Sequence, residues 1–291
     1  NQFFCYNQFM KFFDKNDNVE VYDELPNTQP MNEGPDLIDE NYDKVPNPPT
    51  HFFQDILLTF LGLVGLNLMV IVTQAIAFLI MSNNGYSTFA INEYFASYDF
   101  LSIVNFVRYS IIFLIMIVVI FITKTLLPIL QSFKKFRTYL FGIGYGFIVI
   151  FLSVVYNNII GMIFKDFGSN ENQNAVESVI SLYPLLSVIW IPFLGPIVEE
   201  IAYRFGLFNG LKKINRTLAY VATGLLFGLI HFNLPAQGIE NYWGQLGVEL
   251  LNLPGYIISG LAFNYIFEKE NLGTSIVAHV TNNLVSYLVT V

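Results

Sequence analysis

Long apolar stretches separated by short polar segments make up the chain from about residue 52 onward. Most of these stretches reach the ~20 residues that an α-helix needs to cross the hydrocarbon core of a bilayer. We therefore predict an all-α, polytopic helical membrane protein. Its transmembrane helices number about seven and lie near residues 55–82, 104–130, 139–164, 180–210, 217–232, 245–267 and 272–291.

The first fifty residues have a different composition. They hold ten acidic residues, three lysines and six prolines. A segment of this kind cannot bury a hydrophobic core. We therefore predict an acidic, largely disordered tail over residues 1–51, N-terminal transmembrane helices over 52–178, and a C-terminal helical core over 179–291.

The composition of the whole chain supports a membrane location. Charged residues make up only 12% of the chain, against ~25% in soluble domains. The net charge is −8, and the tail contributes −7 of it, from ten acidic residues and three lysines. The membrane part is thus nearly neutral, so we expect a lipid bilayer around it and no nucleic-acid partner.

The basic residues predict the orientation of the chain in the membrane. Lysines and arginines cluster in segments 131–138, 211–216 and 268–271, which alternate with segments that are poor in them. Basic loops tend to face the cytoplasm. This rule places the N-terminal tail in the cytoplasm and the C-terminus outside.

Three charged residues, Glu199, Glu200 and Arg204, lie within the fourth predicted span. A charge at the bilayer centre costs at least ~2.5–3.5 kcal/mol, so such residues usually have a function. Glu200 and Arg204 are four residues apart on one helix face, so we expect them to neutralise one another and to support the helix. Glu199 lies about 100° away around the helix and lacks this partner. It is therefore the carboxylate that is free to react.

Three further polar residues, His231, His279 and Asn283, lie in the later predicted spans. At ~1.5 Å per residue from the cytoplasmic helix ends, Glu199 would lie about 16 Å deep and these three about 21, 10 and 16 Å. The four side chains can therefore converge near the middle of the bilayer.

Two sets of glycines predict close packing between helices. Gly142, Gly144 and Gly146 lie near the start of the third span, where no phosphate-binding loop pattern accompanies them. Gly224 and Gly228 lie on one face of the fifth span. Small residues at these spacings let two membrane helices approach closely.

A free carboxylate, two imidazoles and an amide inside a membrane indicate hydrolysis. A glutamate can take a proton from water, and histidine and asparagine can stabilise the oxyanion that forms on an attacked carbonyl. Glu199, His231 and His279 could instead hold a zinc ion, although the His-Glu-x-x-His signature is absent and an asparagine amide is a poor zinc ligand. A structural alternative is that the histidines form hydrogen bonds between helices and that Phe227 only packs.

Three motifs occur in order on successive predicted helices: Glu-Glu-x-x-x-Arg at 199–204, Phe-x-x-x-His at 227–231 and His-x-x-x-Asn at 279–283. Together they resemble the CAAX protease and bacteriocin-processing (CPBP, or Abi) family of intramembrane endopeptidases, over about residues 180–291. The resemblance implies a catalytic core in the last four helices and a water-activating glutamate. It assigns the catalytic roles to Glu199, His231, His279 and Asn283, with Glu200, Arg204 and Phe227 in support.

The resemblance also implies a peptide or membrane-protein substrate and a location in a bacterial plasma membrane. Members of the family are often called metalloproteases, so a zinc ion stays an open alternative. A second function fits the same helices, namely a non-proteolytic membrane scaffold or bacteriocin-immunity protein. A proton-coupled transporter would also place glutamate and histidine at the midplane, but the sequence has no internal repeat of the kind that such folds show.

Overall fold

The computed structural model describes residues 44–164, 167–238 and 240–291. In these three ranges all regular structure is helical, which confirms the predicted all-α class. Most of the predicted acidic tail lies outside the described residues. In chain order the helices are α1 (Phe52–Asn83), α2 (Thr88–Phe95), α3 (Tyr98–Ile122), α4 (Leu126–Ser132), α5 (Phe136–Ile163), α6 (Glu171–Leu182), α7 (Pro184–Lys212), α8 (Arg216–Leu229), α9 (Tyr242–Lys269) and α10 (Leu272–Thr290).

Five helices of the described part, α1, α3, α5, α7 and α9, are long and apolar enough to cross a membrane. The chain is therefore an integral membrane protein, but the predicted count of seven spans is not confirmed. Helix α8 has 14 residues, a length of only ~21 Å against a hydrocarbon core of ~30 Å. Helix α10 has 19 residues but carries several Ser, Thr, Asn and His side chains that lower its hydropathy.

Three predicted boundaries are wrong for identifiable reasons. The second span ends at Ile122 rather than near residue 130, because Lys124 has a left-handed backbone with φ of 61° and a separate helix follows. The polar stretch 165–178, expected to be a loop, contains the first turns of α6, whose N-terminus is capped by the side chain of Asn170. The loop after the first span likewise contains α2, which Ser87 caps. Local capping groups stabilise these helices where the apolar pattern gives no signal.

Helix α7 carries the paired glutamates and is not a regular α-helix. It contains two π-helical stretches, Trp190–Leu194 and Glu200–Phe208. Proline lacks the backbone N–H that a helix interior needs, and Pro192 and Pro196 lie within or just after the first stretch. π-helical turns occur mostly where a side chain has a special position to reach. The second half of α7 packs against α1, and residues from α8, α9 and α10 surround it.

Glycines bring α5 against α10 and α8 against α9. A Cβ atom on Gly146 would lie 2.7 Å from the Thr281 side chain, and one on Gly228 would lie 2.5 Å from Ile257. No real Cβ contact is that short, so both positions require glycine. The close packing that the sequence predicts is confirmed here, whereas Gly144 faces open space and contributes no contact of this kind.

Residues 44–51 form an extended segment, the N-terminal strap, which lies across the ends of α9 and α10. The side chain of Asn47 accepts from the backbone N–H of Leu272 at 2.7 Å and donates to the carbonyl of Phe267 at 3.0 Å. Asn271 in turn donates to a backbone carbonyl of the strap at 2.9 Å. The strap thus satisfies backbone groups at the turn that joins the last two helices.

Acidic side chains pair with the basic loops at this end of the bundle. The ion pairs are Arg137–Glu270, Lys212–Glu268, Arg216–Glu268 and Lys213–Asp55. The positive-inside rule counts lysine and arginine rather than net charge. The ion pairs therefore do not alter the orientation that this rule predicts, and the orientation stays a prediction.

Candidate active site

Glu200 is fully buried and contacts three side chains, one through an ion pair and two through hydrogen bonds. Arg204 Nη1 lies 3.0 Å from its Oε1, which confirms the ion pair expected from their spacing. His279 Nδ1 contacts the same oxygen at 2.9 Å, and the hydroxyl of Ser275 donates to the other oxygen. Glu200 therefore does more than neutralise Arg204, because it also holds a histidine of the predicted site.

Arg204 is fully buried as well and connects α7 to its neighbours. Its Nη2 donates to the carbonyl of Gly260 in α9 at 3.2 Å. Its guanidinium carbon lies 4.5 Å from the ring centroid of Phe227, close enough for a cation–π interaction. Phe227 thus packs on the ion pair, which agrees with a supporting position.

Glu199 has different surroundings from its neighbour. Its Oε1 accepts from the hydroxyl of Tyr109 in α3 at 3.2 Å, and its Oε2 lies 3.9 Å from His279 Nε2. The ring of Tyr109 stacks on Trp190 with centroids 5.9 Å apart. Glu199 has no arginine partner of its own, so its carboxylate faces a tyrosine, a histidine and open volume.

Tyr109 is a residue that sequence reasoning missed. The available signal was Arg108, whose guanidinium lies 5.2 Å from the ring of Tyr109. The predicted second span begins near residue 104, which puts Arg108 close to its edge, but α3 begins at Tyr98, so this arginine lies about 15 Å into the helix. A charge at that depth would have pointed to the neighbouring tyrosine.

His279 links the two glutamates. Because its Nδ1 contacts the Glu200 carboxylate, which the Arg204 charge accompanies, this nitrogen carries a proton, and Nε2 faces Glu199. The imidazole stacks on Phe263 with centroids 4.4 Å apart. A carboxylate behind a histidine fixes the orientation and tautomer of the ring.

His231 lies two residues beyond the end of α8, not within the span where the sequence placed it. The helix ends in a tight turn in which the N–H of His231 bonds to the carbonyl of Gly228. Its Nδ1 lies 2.8 Å from the carbonyl of Phe227. A carbonyl only accepts, so Nδ1 carries the proton and Nε2 of the neutral ring is an acceptor.

The turn around His231 is held from two sides. The ring of Tyr256 in α9 stacks on the imidazole with centroids 4.5 Å apart and planes 10° apart. Asn170, before α6, donates to the carbonyl of His231 at 3.2 Å. The buried carboxylate of Glu249 accepts from the backbone N–H groups of Glu171 and Asn233 at 2.7 and 3.1 Å, which ties α6 to the segment after the histidine.

Asn283 lies one turn beyond His279 on α10. Its amide nitrogen donates to the carbonyl of Ile191 in the first π-helical stretch at 3.2 Å, and its oxygen accepts from Asn282 at 3.0 Å. The amide nitrogen has two protons, so one of them remains available to a ligand.

A cavity of about 640 Å³, the site cavity, brings the four predicted residues together. Glu199, His231, His279 and Asn283 all line it, and Glu199 and His279 also approach each other. Tyr109 and Phe227 complete its deep end. The volume is in the usual range for a small-molecule or peptide pocket.

The same residues do not fit a metal ion as they are placed. No group of three or more His, Cys, Asp and Glu side chains is arranged to hold a metal among the residues that the structure describes. Both imidazoles have Nδ1 bound and Nε2 free, as zinc-binding histidines usually do. The donor types thus suit zinc, but the positions of Glu199, His231 and His279 do not.

The fold and composition define an integral, all-α membrane protein with a polar site inside its helical bundle. Residues 181–285, which contain all three motifs, match the family model described as Type II CAAX prenyl endopeptidase Rce1-like. The resemblance to the CAAX protease family is confirmed over these residues.

Two curated relatives extend the comparison to other helices. An uncharacterized protein of Mycoplasma capricolum subsp. capricolum (strain California kid) is 26% identical over 168 residues, which cover 54% of this chain and 46% of that protein. The putative membrane peptidase YdiL of Bacillus subtilis (strain 168) is 26% identical over 146 residues, which cover 50% and 53%. The chain thus spans about half the length of the curated relatives it matches. No solved structure matches this chain.

Proposed function

We propose that the protein is an intramembrane endopeptidase of the CAAX-protease type, in which Glu199 activates water. The observation that carries the proposal is the position of Glu199, which pairs with no lysine or arginine of the described residues, accepts from Tyr109 and lies 3.9 Å from His279 at the deep end of the site cavity. The match to the endopeptidase family and the relative named a putative membrane peptidase support it.

In the proposed reaction, the Glu199 carboxylate takes a proton from water. The water oxygen adds to the carbonyl carbon of a peptide bond, and the electron pair of the C=O bond moves to the oxygen. The intermediate then collapses, the C–N bond breaks, and the leaving nitrogen takes the proton from Glu199. No step passes through a metal ion.

The other residues have separate roles in this reaction. The free N–H of Asn283 is the donor available to the oxyanion, whereas the single hydroxyl proton of Tyr109 is donated to Glu199. His279 places Nε2 3.9 Å from Glu199, and because Glu200 holds its other nitrogen, Nε2 can donate to Glu199 only when the ring is doubly protonated. Neutral His231 has only an acceptor at Nε2, so we assign it to orienting the water, and it could stabilise an oxyanion only when doubly protonated.

The substrate is proposed to be a peptide or a membrane protein. We place the enzyme in a bacterial plasma membrane with its N-terminus in the cytoplasm, as the basic loops predict. The alternative is a scaffold or immunity protein that has the same fold but does not hydrolyse peptide bonds. The experiment below distinguishes this alternative from an enzyme.

The test compares peptides released from membranes that carry wild type, Glu199→Gln or Glu177→Gln. Glu177 lies exposed on α6 and does not line the site cavity, so its variant makes the same chemical change away from Glu199; its hydrogen-bond partner is Gln173, which lines the cavity. We expect a set of cleavage products that wild type and Glu177→Gln share and Glu199→Gln lacks, with equal membrane abundance of all three proteins. Products that persist in Glu199→Gln would contradict the proposal.

A further inference from the structure

The site cavity has a closed end and an open end. Its deep end, the floor, consists of buried residues that include Tyr109, Glu199 and His279. Its outer edge, the rim, consists of the exposed lining residues Val154, Asn157, Gly168, Ser169, Ser286 and Thr290. Anything that reaches Glu199 through this cavity therefore passes the rim first.

The rim lies at the end of the bundle that is opposite to the basic loops. Along α5, Arg137 and Asn157 are twenty residues apart, a distance of ~30 Å. Along α10, Leu272 and Thr290 are eighteen residues apart, or ~27 Å. Either distance is close to the full thickness of the hydrocarbon core.

Packed side chains close the path from the basic end. Phe205 and Phe208 follow Glu199 along α7 toward the basic loop, and Phe267 and Leu272 lie at the turn between α9 and α10. All four are at most 2% exposed. The Glu200–Arg204 pair fills the same layer, and the N-terminal strap covers the turn from outside.

The walls between rim and floor mix polar and apolar side chains and are largely uncharged. Glu199 is the sole Asp, Glu, Lys or Arg among the described residues that line the cavity. Amide side chains, each with donors and acceptors, contribute much of the wall: Asn157, Asn172, Gln173, Asn252 and Asn282. Such a surface suits an extended, uncharged peptide segment, whose backbone has both kinds of group.

We propose that the substrate enters from the face opposite the basic loops, which is the extracytoplasmic face if lysine and arginine mark the cytoplasm. The substrate would then be a peptide segment presented outside the cytoplasm. The side of entry is inferred from the cavity and the charge pattern. Only the statement that the entering molecule is a substrate rests on the proposed function.

Thiol labelling tests the entry side without any need for cleavage. In a Cys5→Ser background, which removes the chain's single cysteine, one protein carries Ser286→Cys at the rim and another carries Ile214→Cys in a basic loop. Ile214 is 69% exposed and uncharged, so this change leaves the basic residues in place. Both proteins are treated with a membrane-impermeant maleimide in intact cells and in inverted vesicles, with detergent-solubilised protein as the reference.

In intact cells we expect Ser286→Cys to be labelled at least tenfold more than Ile214→Cys, and the reverse in inverted vesicles. Labelling of both from one side would show that the cavity opens toward the basic loops. If Ser286→Cys is labelled in inverted vesicles and Ile214→Cys in intact cells, the predicted orientation is wrong. If Ser286→Cys is labelled only in detergent, the cavity has no aqueous entry. Thr290→Cys, on the same rim, is the second variant if Ser286→Cys does not accumulate.

The proposed side of entry and the proposed function can be refuted independently of one another. Adding Glu199→Gln to the Ser286→Cys protein should leave its labelling unchanged, because the variant alters chemistry and not access. A bulky impermeant maleimide on intact cells should also stop peptide release by Ser286→Cys and spare the Cys5→Ser parent. Continued release from the labelled protein would show that the substrate takes another path.

Discussion

The buried pair of Glu200 and Arg204 should contribute more to stability than any other ion pair described above. Both side chains are fully buried. Arg204 joins α7 to the carbonyl of Gly260 in α9, and Glu200 joins α7 to Ser275 and His279 in α10. The pair therefore joins three helices, and changing either residue leaves the other without its partner.

The magnitude follows from what each change leaves behind. Removing one partner of a buried pair typically costs ~3–5 kcal/mol, because the other charge is left uncompensated. Glu200→Gln keeps the side-chain volume and an acceptor, so we expect the lower end of this range. Arg204→Ala also leaves a cavity, so we expect the upper end. At ~2–4 °C per kcal/mol, the melting temperature should fall by about 6–12 °C and about 10–20 °C respectively.

The assay is thermal unfolding of the detergent-solubilised protein, together with membrane abundance. Arg216→Ala is the matched control, because this arginine is also paired with a glutamate but its side chain is 69% exposed. An exposed pair is worth ~0–1 kcal/mol, so the control should lose at most about 4 °C. The double variant Glu200→Gln/Arg204→Met should lose less than the sum of the two single changes, because it buries no unpaired charge.

One result would refute this reasoning. If Glu200→Gln and Arg204→Ala accumulate and melt like wild type and are simply inactive, the pair takes part in the chemistry. The division between a reactive Glu199 and a structural Glu200 would then be wrong.

Two further changes test the site and the packing around it. Tyr109→Phe removes one hydrogen bond to a carboxylate (~1.5 kcal/mol) and keeps the ring. It should slow cleavage about tenfold and lower the melting temperature by at most about 3–6 °C; an unchanged initial rate would exclude the hydroxyl from the mechanism. Gly146→Ala should lower the melting temperature by several degrees because its Cβ would lie 2.7 Å from Thr281, whereas Gly144→Ala, which meets nothing within 4 Å, should not; equal melting of the two would show that α5 and α10 can move apart freely.

Local spacing made part of the site predictable from the sequence. The Glu200–Arg204 pair depends only on helical periodicity, and the structure forms it. The depths of Glu199, His231, His279 and Asn283 predicted that they meet, and they line one cavity. Depth, however, depends only on helix length and not on how the helices are rotated.

The rest depends on how helices are rotated and packed, which one sequence does not encode locally. Tyr109 reaches Glu199 across 90 residues of chain, and only the packing of α3 against α7 brings the two together. Helical spacing predicts Arg204 as the partner of Glu200 but gives no signal for the contact of Glu200 with His279. Helix α6 was missed because its polar composition resembles a loop, and its cap is a single asparagine.

The N-terminal strap has a consequence for the order in which the protein can be assembled during synthesis. Its Asn47 bonds to backbone groups more than 200 positions later in the chain. The ribosome therefore makes the strap before it makes the turn that the strap binds. Until α9 and α10 are in place, the strap has no partner there, and contacts of such long sequence separation form slowly. Residues 44–51 thus wait for more than 200 further residues to be made before they can reach their native contacts at this turn.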